Sequence, residues 1–252
     1  MNSPKTEKTE IKQQIPLGLG HTDNSSFENF YPSGNEQILA DIDNFLADEH
    51  IKILYLWGGA GSGKTHLLHA IQNIKLETGD TVYYLPFSNV KHYPVEALEG
   101  LENARLICLD ELEHIAGVKQ WEEAVFHLLN RTWNSGNRIV VAATDNVHEV
   151  GFALADLSSR LQWGFNCKVK LLNDAEKQEC LKYRAELRGF EITDEVCSFL
   201  IKRLPRDMQQ LFDFLDLIDN QSLVEKRKVT VPFVKSLLEN KSLENKTEYL
   251  GK

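Results

Sequence analysis

Ile51-Lys52-Ile53-Leu54-Tyr55-Leu56-Trp57-Gly58-Gly59-Ala60-Gly61-Ser62-Gly63-Lys64-Thr65 decides the fold. An almost unbroken apolar run, Ile51 to Trp57, reads as a buried parallel strand. Gly58 to Thr65 then matches G-x-x-x-x-G-K-[ST] at every defined position. After it, Leu67, Leu68, Ile71 and Ile74 share one helical face over Lys64 to Thr78, up to a stop at Gly79. A strand, a glycine-rich turn and a helix opening on Lys-Thr make the context in which this motif cradles phosphate. The glycines let backbone amides curl around an anion, and the helix N-terminus adds partial positive charge. Gly58, Gly59, Ala60, Gly61, Ser62, Gly63, Lys64 and Thr65 are therefore candidate nucleotide ligands. Lys64 is expected at the β/γ-phosphates and the Thr65 hydroxyl at Mg²⁺.

Downstream, strands and helices alternate. Thr81 to Leu85, Ala104 to Leu109, Arg138 to Ala143 and Lys168 to Leu172 read as four further strands. Asn35 to Asp48 and Gln120 to Trp133 have helical periodicity. The expectation is an α/β fold with a parallel five-stranded sheet. The strand Leu106-Ile107-Cys108-Leu109 ends in Asp110-Glu111. Asp110 is the second candidate for the Mg²⁺ shell, and Glu111 is placed to polarise a water as general base. Asp145, in Ala142-Ala143-Thr144-Asp145 at the next strand end, is expected to face the γ-phosphate between the two motifs.

From Asn173 the pattern is helical only. Asn173 with Glu176 suggests a capping box, Thr193 a second cap, and Met208 to Ile218 and Val231 to Leu238 two further helices. The expected division is a flexible tail at 1–24, a nucleotide-binding domain at 25–172, a helical lid at 173–240 and a polar, fraying tail at 241–252.

The chain has 252 residues and a net charge of −9, which argues against broad nucleic-acid binding through a basic surface. There is no long apolar span and no signal-peptide pattern, so a cytoplasmic protein is expected. Cys108, Cys167, Cys180 and Cys197 form no C-x-x-C pair and read as buried thiols. His66 and His69 read as structural rather than metal-binding. Within the polar tail one apolar island, Gln14-Ile15-Pro16-Leu17-Gly18-Leu19, suggests a peptide that docks elsewhere. Arg160 (Ser158-Ser159-Arg160-Leu161-Gln162-Trp163-Gly164) and Arg206 (Leu204-Pro205-Arg206-Asp207-Met208) could each complete a phosphate site.

Taken together these motifs resemble an AAA+ P-loop ATPase with a C-terminal all-α lid. The box around Arg160 resembles the arginine-finger box of the bacterial initiator DnaA. Arg188 to Glu191, Phe199 to Phe212 and Lys228 to Val234 resemble the small domain of Hda-type regulators in the DnaA-related AAA+ family. Gln14 to Leu19 looks like the hexapeptide with which such proteins hold the DNA polymerase sliding clamp, with Gln14, Ile15, Leu17 and Leu19 as contacts. The resemblance implies an ADP- or ATP-bound inhibitor of DNA replication initiation, cytoplasmic and brought to the nucleoid by the clamp. Its partners would be DnaA and the clamp's β subunit on DNA, with little direct nucleic-acid binding; a homo-oligomer is left open. By the same match Arg160 acts in trans on the ATP of DnaA, and Arg206 is a lid arginine touching the chain's own nucleotide.

Some Hda-type sequences have degenerate phosphate loops and lack the glutamate after the strand-end Asp. Here both are intact, which leaves the chain's own ATP hydrolysis open. Three other readings compete: a DnaA-like initiator, a helicase loader and an unrelated free-standing NTPase. The chain ending near the lid weighs against an initiator, and the clamp-like peptide weighs against the other two.

Overall fold

The computed structural model describes residues 25–205 and 207–250; the tail peptide Gln14 to Leu19 and Arg206 lie outside the described residues. In chain order the elements are α1 (Glu36–Ala47), β1 (Ile53–Trp57), α2 (Lys64–Glu77), β2 (Val82–Pro86), β3 (Leu106–Asp110), α3 (Lys119–Asn134), β4 (Arg138–Ala143), α4 (Ala155–Gln162), β5 (Phe165–Lys168), α5 (Asp174–Leu187), α6 (Asp194–Arg203), α7 (Met208–Glu225) and α8 (Val231–Leu250). The five strands form one sheet in the order β2-β3-β4-β1-β5. Every pairing is parallel.

The strands carry alternating payloads. Tyr55, Ile107, Leu109, Ile139 and Val141 feed one core with Phe87, Trp121 and Leu128. Leu54, Leu56, Cys108, Val140 and Ala142 feed the other with Phe45, Leu67 and Ile71. This is the period-2 geometry of a strand buried on both faces. It leaves the C-terminal ends of β1, β3 and β4 side by side, where open α/β sheets place their ligands. A third core unites α5 to α8 through Leu181, Val196, Leu200, Leu211, Phe214 and Phe233.

Asn173 caps α5 as expected. Its side chain accepts from the Ala175 and Glu176 amides, and Glu176 accepts from the Asn173 amide. Thr193 Oγ1 likewise accepts from the Val196 amide at the start of α6.

Four local expectations are corrected. The fifth strand is Phe165–Lys168 rather than Lys168 to Leu172. Among the described residues it is an edge strand paired only with β1, so it needs little apolar sequence and carries none of the expected alternation. The apolar Val169 lies just past the strand, and its amide donates to the Trp57 carbonyl at 2.6 Å. Helix α4 was not expected: eight residues bury only Leu157 and Leu161, too few to show a period. Helix α7 runs to Glu225, past Ile218. Helix α8 runs to Leu250 rather than stopping near Leu238, because no glycine or proline interrupts it before Gly251.

Candidate functional site

The loop between β1 and α2 is built by close approach. Gly58 continues the sheet, its amide donating to the Ala143 carbonyl at 3.2 Å. A Cβ on Gly58 would lie 2.3 Å from the Val169 carbonyl oxygen, so only glycine fits there. Gly63 opens α2 at φ 98°, and a Cβ there would lie 2.9 Å from Phe30 Cε2. No side chain caps α2 at that residue. Ser62 is buried, and its Oγ has no hydrogen-bond partner among the described residues. An uncapped helix N-terminus beside a buried, unsatisfied hydroxyl fits an anionic ligand.

Lys64 folds back over this loop. Its Nζ donates to the carbonyls of Gly58 at 2.6 Å and Gly59 at 3.2 Å. Burial lowers its pKa, while the carboxylates of Glu113, Asp110, Glu111 and Asp145 pull it the other way. A partly desolvated ammonium resting on two carbonyls can exchange them for phosphate oxygens at little cost.

Asp110 is 2% exposed. Its Oδ2 accepts from Thr65 Oγ1 at 2.8 Å and from the Tyr84 hydroxyl at 2.9 Å, while Oδ1 accepts from the Glu111 amide at 2.9 Å. Thr65 and Asp110, drawn from different ends of the motif, therefore meet directly. Burial and the Asp110 carboxylate keep the Tyr84 phenol protonated well above its usual range. Glu111 adopts a left-handed backbone at φ 56°, unusual for a non-glycine residue.

A cavity of about 680 Å³ opens over the loop. Ala60 to Thr65 and Glu111 form its floor, Asn29, Phe30 and Tyr31 one wall, and Arg184, Asp207 and Phe212 of the helical module the other. The N-terminal wall is pinned on both sides. His66 Nε2 lies 2.9 Å from the Ser26 carbonyl, and Asn73 donates to the Ser25 carbonyl at 2.9 Å. Tyr183 donates to the Glu28 carbonyl, and Arg184 to that of Asn29 at 2.8 Å. Arg184 is 3% exposed and stacks over Phe212 at 4.5 Å.

Six of the expected loop residues, Ala60 to Thr65, line the cavity, as does Glu111. Gly58 and Gly59 instead hold Lys64, and Asp110 lies behind Thr65. Asp145 is exposed and absent from the cavity lining; its carboxylate accepts from the Thr144 hydroxyl at 2.9 Å. Glu113, Tyr84 and Arg184 join the site without being among the residues that the sequence motifs mark. Glu113 accepts from the Thr144 amide at 3.2 Å and heads the charges acting on Lys64. A third carboxylate so soon after Asp110-Glu111 was the available signal. Arg184 offered none, being one polar residue among many on α5.

Arg160 lies elsewhere. It sits near the end of α4, donates to Asn130 Oδ1, and lies 4.3 Å from the centre of the Trp163 ring and 5.8 Å from that of Trp133. Trp163 is 61% exposed. None of these four residues lines the cavity. All four cysteines are free and buried, and burial pushes Cys167, Cys180 and Cys197 up to about 12. No helix among the described residues is long and apolar enough to cross a membrane.

Residues 22–168 match the family model of the bacterial DnaA ATPase domain, and residues 174–238 that of the Hda lid domain. Among solved structures, domain III of the Thermotoga maritima replication initiation protein DnaA is similar, with a TM-score of 0.69 at 20% identity. That match covers 87% of this chain and 97% of that one. AMPPCP-bound DnaA from Aquifex aeolicus gives 0.62 at 19% identity, covering 78% of this chain and 65% of that one. The Thermotoga maritima RuvB Holliday junction branch migration motor gives 0.61 at 18% identity, covering 85% and 71%. At these identities the likeness is one of fold.

Proposed function

The chain belongs to the DnaA-related AAA+ family, and from that premise we propose that it is a nucleotide-bound negative regulator of replication initiation. In this reading the tail peptide Gln14, Ile15, Leu17 and Leu19 holds the sliding clamp on DNA, and Arg160 enters the active site of ATP-bound DnaA. The observation that carries the reading is the separation of Arg160 from the chain's own cavity: neither it nor Asn130, Trp133 or Trp163 lines that cavity. An arginine held away from the chain's own cavity would be free to serve a phosphate held by another molecule.

The chain's own site suits ADP or ATP with Mg²⁺. The open N-terminus of α2, the Ser62 hydroxyl and Lys64 would receive the phosphates, and Thr65 with Asp110 would hold the metal. Bound Mg²⁺ would supply neutralisation of phosphate charge. Glu111 would orient a water, which leaves slow hydrolysis of the chain's own ATP within its chemistry. Arg206 would complete the shell from the lid, whereas Asp145, exposed and outside the cavity lining, would have to turn away from the Thr144 hydroxyl to join it.

In the partner's site, the guanidinium of Arg160 would stabilise charge on the phosphoryl oxygens as they separate from the leaving group. Its planar fork can grip two oxygens, which a lysine cannot. The test is phosphate release from ATP-bound DnaA on clamp-loaded DNA, with and without this protein. Acceleration that needs both the clamp and Arg160 supports the reading. Equal rates with and without the protein overturn it.

A further inference from the structure

Glu122 is a charged residue with no exposed surface, on helix α3 and outside the cavity lining. A buried carboxylate is costly unless its oxygens are fully hydrogen-bonded. Here backbone amides do this, and they come from two separate loops. Glu122 Oε1 accepts from the Gly117 amide at 2.6 Å and the Ala153 amide at 3.1 Å, and Oε2 accepts from the Leu154 amide at 2.7 Å.

The two loops lead to the two functional regions. Gly117 ends the short stretch that begins at Asp110-Glu111 and contains Glu113, whose carboxylate accepts from the Thr144 amide. Leu154 immediately precedes α4, and its carbonyl accepts from the Leu157 and Ser158 amides in the first turn. Arg160 follows on the same helix, about 9 Å further along its axis.

We propose that Glu122 is a positioning residue that ties the loop carrying Asp110, Glu111 and Glu113 to the entrance of α4, and so sets where Arg160 is presented. The inference rests on the proposed reading of Arg160 but concerns a residue that touches neither nucleotide. A displacement of the 111–117 loop when the cavity fills is passed through one rigid carboxylate to residues 153 and 154. Both α4 and the loop are short, so a single shared anchor has leverage over their relative position. A glutamine cannot do the same. One of its two terminal atoms is an NH₂ donor, which would face either Leu154 N–H or the paired Gly117 and Ala153 N–H groups. Either the Leu154 amide, or the Gly117 and Ala153 amides together, then lose their acceptor, and the bridge between the two loops is weakened.

The test is amide hydrogen exchange on the full chain, with and without ADP and Mg²⁺, in wild type and Glu122→Gln. In wild type, nucleotide should slow exchange at residues 59–65 and also at residues 117 and 153–162. In Glu122→Gln, either the Leu154 amide or the Gly117 and Ala153 amides together should exchange about tenfold faster, the effect of losing a charge-assisted bond. The nucleotide response at 153–162 should vanish while that at 59–65 persists. Stimulation of DnaA should fall in maximal rate by about tenfold or more, with the half-saturating concentration unchanged.

Protection at 59–65 without any change at 153–162 in wild type overturns the coupling and leaves the nucleotide site standing. A Glu122→Gln chain that keeps the full response at 153–162 also overturns it. Absence of protection at 59–65 in wild type sinks the nucleotide reading itself.

Discussion

Lys64 rests on the carbonyls of its own loop, half-buried, with its pKa lowered by desolvation. Arg160 lies against a pair of indoles in mutual edge contact, one of them 61% exposed, and donates to a side-chain amide. The difference lies in what each cation can reach. Lys64 is surrounded by the machinery for holding a phosphate within this chain: an uncapped helix, an unsatisfied hydroxyl and a carboxylate paired to Thr65. Arg160 has none of it nearby, and in the proposed reading the phosphate would come from another molecule. Aromatic stacking preserves the guanidinium's charge while keeping its plane ordered. One cation thus sits within a phosphate-binding loop of its own chain, and the proposal assigns the other to a site in another molecule.

Removing Lys64 should break the inner half of this contrast most severely. Lys64→Ala is expected to weaken nucleotide binding by about two to three orders of magnitude, as truncating a desolvated charge partner does. The nucleotide-induced rise in melting temperature should disappear with it. Titration calorimetry and a thermal shift assay read both. An unchanged melting shift would mean that the phosphate sits elsewhere.

In the proposed reading the outer half would be brought to its partner through the tail. Leu17→Ala with Leu19→Ala should weaken clamp binding by about a hundredfold or more, because short docked peptides concentrate their affinity in a few apolar anchors. Nucleotide affinity should not change. Surface plasmon resonance on immobilised clamp separates the two, and full retention of clamp binding would reject the peptide.

A smaller effect sharpens the role of the lid, which supplies one wall of the inner site. Asn173→Ala removes the cap where the lid begins and should cost about 1 kcal/mol. For a chain of this size that lowers the melting temperature by about 2–4 °C. Chemical denaturation should show the loss with an unchanged dependence on denaturant. A loss beyond about 3 kcal/mol would show that the cap supports more than one helix end.

The smallest expected change concerns the thiols. Burial holds Cys167, Cys180 and Cys197 near a pKa of about 12, so few are thiolates at neutral pH. Their alkylation should be slow in the folded chain and rise sharply on unfolding. Rapid labelling of folded protein would contradict the burial of these thiols in the α2-side core and the helical core.

The contrast between the two cations also explains what the sequence could tell. β1, the phosphate loop and α2 were legible because glycine spacing and an apolar run are local signals, and β4 was legible for the same reason. The Asp110–Thr65 contact followed from motif order. Arg184 and Glu122 were not legible. Each is a polar residue on a helix, and only packing against a distant segment buries it. In Trp121-Glu122-Glu123 the first glutamate is indistinguishable in sequence from its solvent-facing neighbour. β5 was misplaced because an edge strand can dispense with apolar alternation, whereas the loop after it carries Val169 and Leu171 for other purposes. Arg160 was found from its surrounding box, but the Asn130 and Trp133 that hold it come from α3, some thirty residues earlier.

The central claim is that Arg160 acts on a phosphate held by DnaA. The most direct measurement is single-turnover phosphate release from ATP-bound DnaA on clamp-loaded DNA, comparing wild type, Arg160→Ala and Arg160→Lys. The account predicts that both variants bind nucleotide and clamp as wild type does, yet lose an acceleration of about 10³–10⁵. Arg160→Ala stimulating DnaA as well as wild type would contradict it.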